Sequence, residues 1–143
     1  MKRIIISTAT AAILALASIP ASANSISIFQ DGWANGAGGS QAGVGNSIGV
    51  FQDGAWNTGV SNQNGHHNTS GIGQSGVNNY GEVNQNGGHN VGGVGQFGAN
   101  HNAVVSQDGN GNTAVGLQIG NGCDAAVSQG GNGNIAAFMQ TCP

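Results

Sequence analysis

After Arg3 the sequence contains no lysine and no arginine, so Lys2 and Arg3 are its two cations in 143 residues. A chain body without cations cannot hold phosphates by ion pairing. That excludes nucleic acid as a partner and disfavours an anionic membrane surface. Charge of the other sign is also scarce: Asp31, Asp53, Glu82, Asp108 and Asp124 are the five acids. Proline is confined to Pro20 and Pro143, and cysteine to Cys123 and Cys142. Gly, Asn, Ser and Gln dominate what is left. Composition of this kind fits low complexity or disorder, and equally a polar chain prone to cross-β association. The order of residues along the chain decides between them.

The first 23 residues read as a secretory signal. Lys2 and Arg3 form a basic n-region, Ile13 to Ile19 lie in an apolar stretch, and Ala21-Ser22-Ala23 is a small-residue cleavage site. The stretch is too short for a transmembrane anchor, so no membrane insertion is expected. The expected organisation is a signal peptide over 1–23 and an exported repeat domain over 24–143. Removal of the signal takes the formal net charge from −3 to −5.

Glutamine carries the order. It occurs at Gln30, Gln41, Gln52, Gln63, Gln74, Gln85, Gln96, Gln107, Gln118, Gln129 and Gln140, and every interval is eleven residues. Disorder does not keep such a register; a repeat architecture does. With Gln as position zero, +2 is Gly in ten units, broken only by Cys142. Position +5 is Asn at Asn24, Asn35, Asn46, Asn57, Asn68, Asn79, Asn90, Asn112 and Asn134, with His101 and Cys123 as exceptions. Position +9 is usually apolar and +7 usually small. Positions +5, +7, +9 and the next zero differ by two, so in a strand they share a face. The x-Gly-x-x between zero and +5 has turn chemistry. A helix is excluded, since a glycine in every turn costs about 1 kcal/mol each relative to alanine.

The expected fold is all-β: a β-solenoid of about eleven short strands in two facing parallel sheets, with 22 residues per coil. Coils stack about 4.8 Å apart. In facing strands, +9 of one unit meets +7 of the next. The pairs Ile28/Ala37, Val50/Gly59, Ile72/Gly81, Val83/Gly92, Val94/Ala103, Val105/Ala114 and Val127/Ala136 set large against small. Ile48 and Gly39 swap the roles and keep the volume. Ser61/Ser70 and Gly116/Ala125 look underfilled, which marks the middle and penultimate coils as weak spots. The Gln and Asn residues are expected to form structural ladders, each amide donating to the copy one coil away and fixing register. Placement on a solvated face is the alternative; the apolar +9 residues share the amides' parity and argue against it.

The iterated Gln-x-Gly-x-x-Asn-x-Ala-x-Val-x-Gln, best seen from Gln96 to Gln140, resembles the curlin repeat of bacterial curli fibres. Gln107-Asp-Gly-Asn-Gly-Asn112-Thr-Ala114-Val-Gly-Leu-Gln118 carries the likeness most fully. The resemblance implies a secreted subunit that polymerises into a cross-β surface fibre for adhesion and biofilm matrix. Its implied partners are itself, a second curlin-like subunit and an outer-membrane export machinery.

Few residues are candidates for chemistry. Cys123 and Cys142 would meet an oxidising compartment on turns one coil apart, which favours an intrachain disulfide. Free thiols or intermolecular crosslinks are the alternatives. His66, His67, His89 and His101 fall in or at the end of turns, and His67 and His89 should stack. A weak Zn or Cu site at that pair lacks a completing Cys or carboxylate, so solvated turn histidines are expected and no metal or cofactor. Asp31 and Asp53 should also stack, either as brakes on aggregation or as ordinary turn aspartates. Trp33, Trp56 and Tyr80 should lie outward. With no pocket in so thin a core, no catalytic residue is assigned and an enzyme is not expected.

Three functions remain in competition: a fibre subunit growing on its unpaired strand edges, a monomeric solenoid binding something on a flat face, and a nucleator seeding a separate major subunit. Calcium binding would need more acids, and ice binding a regular threonine array that Thr58, Thr69 and Thr113 do not make.

Overall fold

The computed structural model describes residues 23–143; the expected signal peptide, apart from Ala23, lies outside them. Eleven strands follow one another: β1 (Ser25–Trp33), β2 (Gly36–Val44), β3 (Ser47–Ala55), β4 (Thr58–His66), β5 (Thr69–Val77), β6 (Tyr80–Gly88), β7 (Val91–Ala99), β8 (Asn102–Asn110), β9 (Thr113–Asn121), β10 (Asp124–Asn132) and β11 (Ile135–Cys142). Odd strands form a six-stranded sheet in the order β1-β3-β5-β7-β9-β11, and even strands a five-stranded sheet from β2 to β10. All pairing is parallel with a register of 22 residues, as in Gln52↔Gln74 and Gln74↔Gln96. The fold is the β-solenoid that the eleven-residue period demands.

The strands are longer than the period alone indicates, and only +4 and +5 stand outside them. The +2 glycine bends the chain without interrupting coil-to-coil pairing. Gly54 has φ +114°, and a Cβ built there would overlap the carbonyl oxygen of Gly76 one coil on. Glycine is therefore required twice, for the dihedral and for the close backbone approach. Position +4 is left-handed as well: Ala34, Trp56, His67, Asn78, His89 and Asn100 have φ of 55–58°.

The core is a thin lane between the sheets. Ile48, Val50, Ile72, Val83, Val94, Val105, Ala103 and Ala114 are its buried apolar members. Large against small holds: a Cβ on Gly59 would meet Val50 Cγ1 at 3.0 Å, and one on Gly81 would meet Ile72 Cγ2 at 3.0 Å. Neither expected weak spot is empty. Ser61 and Ser70 are buried and share a hydrogen bond of 2.6 Å between their hydroxyls. The space over Gly116 is taken by the ring of Phe138, its register partner on β11. Pairing +9 with +7 considers facing residues only; the residue one coil on fills the gap.

The two outer faces differ. On the six-stranded sheet Phe29, Phe51, Phe97, Val115, Ile119 and Met139 are exposed. The five-stranded sheet presents amide columns, with Asn62 donating to Asn84 at 3.0 Å and Asn86 to Asp108 at 3.2 Å.

Candidate assembly site at the ends of the amide ladders

Strand alternation turns every Gln side chain into the lane. There each Nε2 has two hydrogens to place. One goes to the Gln one coil on: Gln30 to Gln52 at 2.7 Å, Gln41 to Gln63 at 2.9 Å, and so on through Gln107 to Gln129 at 2.8 Å and Gln118 to Gln140 at 3.0 Å. The other goes to a backbone carbonyl in the facing corner, as from Gln52 to Gly36 at 2.9 Å and from Gln85 to Thr69 at 3.0 Å. The buried amide is thus fully satisfied, which removes a desolvation penalty of about 1–3 kcal/mol per group. No buried side-chain nitrogen or oxygen among the described residues lacks a partner.

The Asn residues run the opposite way. Asn68 donates its backbone N–H to Asn46 Oδ1 at 3.0 Å, and Asn90 donates likewise to Asn68 at 3.0 Å. Their Nδ2 groups reach forward to the glycine carbonyls of the next coil, as from Asn46 to Gly65 at 3.0 Å and from Asn90 to Gly109 at 2.9 Å. Corner and strand are locked together by one side chain.

His101 is the residue that sequence reasoning misplaced. It is not a solvated turn histidine but is 1% exposed, inside the Asn column. Its backbone N–H donates to Asn79 Oδ1 at 3.1 Å, and its Nδ1 accepts from the Cys123 N–H at 3.1 Å. Nδ1 therefore does the work of an Asn Oδ1, which assigns the proton to Nε2, 3.2 Å from the Phe97 carbonyl oxygen. Its place at +5, where nine other units carry Asn, was the available signal. His66, His67 and His89 stay at the surface, with the rings of His67 and His89 stacked at 5.1 Å. Among the described residues, no group of three or more His, Cys, Asp or Glu is placed to hold a metal.

Cys123 and Cys142 are disulfide-bonded, with Cα atoms 5.6 Å apart, and tie β11 to the corner before β10. Asp31 and Asp53 are register partners on β1 and β3. Trp33 and Trp56 are exposed and lie 5.3 Å apart on successive coils. Tyr80 donates to Glu82 Oε2 at 2.7 Å and Asn84 to Glu82 Oε1 at 2.7 Å. The Tyr80 hydroxyl, then the Asn84 amide, hold the Glu82 carboxyl below the usual carboxylate range. The same hydrogen bond raises Tyr80.

The ladders end unfinished and with opposite polarity. At the β10–β11 end, Gln129 and Gln140 each donate to a carbonyl, of Thr113 and Asp124, but have no further Gln to receive the second hydrogen. At the β1–β2 end, the Oε1 atoms of Gln30 and Gln41 receive no Gln among the described residues. The core is open there too: Ile26 and Ile28 point into the lane yet are 47% and 43% exposed. In the Gln ladders one end thus offers donors and the other acceptors, and in the backbone bonds of the Asn columns the reverse, beside unpaired strand edges.

Among the described residues, fold and ends together define a polar-ladder β-solenoid open at both ends of its stack. The family model described as the Curlin associated repeat matches residues 76–109, which run from the end of β5 through β8. Over that segment the chain is similar to the curlin repeat, and the same eleven-residue register extends on both sides of it. No curated protein matches the chain.

Proposed function

We propose that the chain is a secreted structural subunit that self-assembles into extracellular cross-β fibres at the bacterial surface, for adhesion and biofilm matrix. The observation that carries this reading is the complementarity of the two ends. Both ends leave strand edges and amide groups, and the β1–β2 end also leaves half-covered isoleucines, that another copy of the same repeat can satisfy. The curlin repeat supports a structural rather than an enzymatic role, and an extracellular one. Residues 1–23 serve as the export signal on this reading, and an outer-membrane export machinery is the implied partner.

Growth is templated: an incoming chain gains backbone pairs and ladder bonds only when stacked in register. The test is to follow purified 24–143 at neutral pH by electron microscopy and dye binding, with and without preformed fibres. Fibres that shorten the lag of fresh chain support self-assembly. Persistent monomers at tens of micromolar would remove the fibre reading in favour of a monomeric solenoid. Acceleration of a second curlin-like chain, without self-growth, would make it a nucleator.

A further inference from the structure

The described residues form eleven strands, an odd number, and their stack therefore begins and ends on the six-stranded sheet. From this we infer that successive copies join face-alternated: each subunit is turned by half a revolution about the fibre axis, so that β1 of a second copy pairs with β10, and its β2 pairs with β11. The inference rests on the fibre reading and specifies the joint.

The argument is geometric. Successive strands in a uniform solenoid climb half a coil, about 2.4 Å, and strands pair at about 4.8 Å. A second copy placed eleven half-coils on puts its β1 one spacing beyond β10 and its β2 one spacing beyond β11. Both edges are then paired. A copy placed with like sheets aligned puts β1 on β11, but leaves its β2 about 9.6 Å from β10, a missing strand in the five-stranded sheet. Unpaired buried backbone groups make that joint the poorer one.

Side chains give an independent reason. In the face-alternated joint the repeat register carries on by eleven. The two waiting donors, Gln129 and Gln140, meet the two waiting acceptors, Gln30 and Gln41 of the second copy. Asn134 Oδ1, at the end of its column, meets the backbone N–H of the second copy's Asn35. The glycine column continues from Gly131 to Gly32. With like sheets aligned, Gln140 meets Gln30, while Gln129 and the second copy's Gln41 stay unmatched. Cys142 breaks the glycine rule, so pairing over β11 stops at Thr141.

The consequence concerns the fibre's sides. Each side shows the Phe29–Phe51–Phe97 face of one subunit and then the Asn62–Asn84 face of the next. The apolar surface is cut into patches instead of forming a continuous stripe, which limits lateral bundling.

Crosslinking distinguishes the joints. Ser27, Ala126 and Ala137 are exposed on outward positions of β1, β10 and β11. The native cysteines are already bonded. Fibres of the S27C/A126C variant, treated with a short thiol crosslinker and dissolved in denaturant, should give a ladder of covalent multimers. Fibres of S27C/A137C should give monomer. The reverse pattern overturns the inference, as does monomer from both variants when fibres are present. Helical reconstruction of unsubstituted fibres reads the joint without any variant. It should show a half-turn per subunit, plus the twist of the coils, at a rise of about 26 Å. A rise of about 29 Å without the half-turn overturns the joint and leaves the fibre reading standing. No fibres from the unsubstituted chain would overturn both.

Discussion

Truncating Gln74 to alanine removes one rung from the middle of a ladder. Gln74 is 1% exposed and sits between Gln52, whose Nε2 donates to it at 2.7 Å, and Gln96, to which it donates at 2.8 Å. It also donates to the Thr58 carbonyl at 2.9 Å. The substitution leaves a hydrogen of Gln52 and the Oε1 of Gln96 without partners in a lane that water does not reach. Each orphan costs about 1–3 kcal/mol, and the cavity adds to that, giving roughly 4–6 kcal/mol. That is a large share of the ~5–15 kcal/mol total of a domain. Gln140→Ala takes a partner from Gln118 and from the Asp124 carbonyl, at the open end of the stack where water can replace it, and should cost about 1 kcal/mol in the monomer. Urea unfolding of freshly desalted, dilute chain measures both. Its midpoint should fall several times further for Gln74→Ala than for Gln140→Ala. Equal losses would refute the ladder as a source of stability. Gln140→Ala should instead slow fibre growth, because it removes one of the two donors at the joint.

Gly54→Ala should be severe, at about 3 kcal/mol or more by thermal melting, because its Cβ overlaps the Gly76 carbonyl at φ +114°. Gly71→Ala, with nothing near and no positive φ, should be neutral or stabilising by about 0.5 kcal/mol. Ser61→Ala should cost about 1–3 kcal/mol by stranding the buried Ser70 hydroxyl, and Ser61→Ala with Ser70→Ala should recover part of it; a strictly additive double variant would exclude the hydroxyl pair as a unit. Replacing Cys123 and Cys142 by serine should lose about 3 kcal/mol of loop-closure stabilisation for a separation of 19 residues, and hydrogen exchange should quicken in β11 before β5 or β7. Glu82 should titrate by NMR below an ordinary glutamate. Its pKa is depressed in the folded chain, so the small stabilisation it gives is present above the unfolded pKa. That stabilisation fades as pH falls through the folded value, and Tyr80→Phe should return the titration toward normal.

The strand count, the parallel register and the inward columns were legible because one residue type, glutamine, marks every half-coil. Parity then fixed which side chains share the lane. The left-handed corner at +4 was not legible, because Ala34, Trp56, His67 and His89 disguise a position that Gly and Asn fill elsewhere. His101 was read by type, whereas the +5 slot it occupies dictates its hydrogen bonds. The filling of the Gly116 gap by Phe138 depends on a residue 22 positions on, beyond the facing pair. The ends of the ladders carry the assembly argument, and their polarity came only from donor and acceptor directions. Sequence spacing cannot give those.

Diffraction from aligned fibres of 24–143 tests the central claim most directly. Coils that stack along the axis predict a meridional reflection at about 4.7–4.8 Å and an equatorial one near 10 Å. A 4.7 Å reflection lying on the equator would mean that solenoids pack side by side, and it would contradict growth by end-to-end continuation of the ladders.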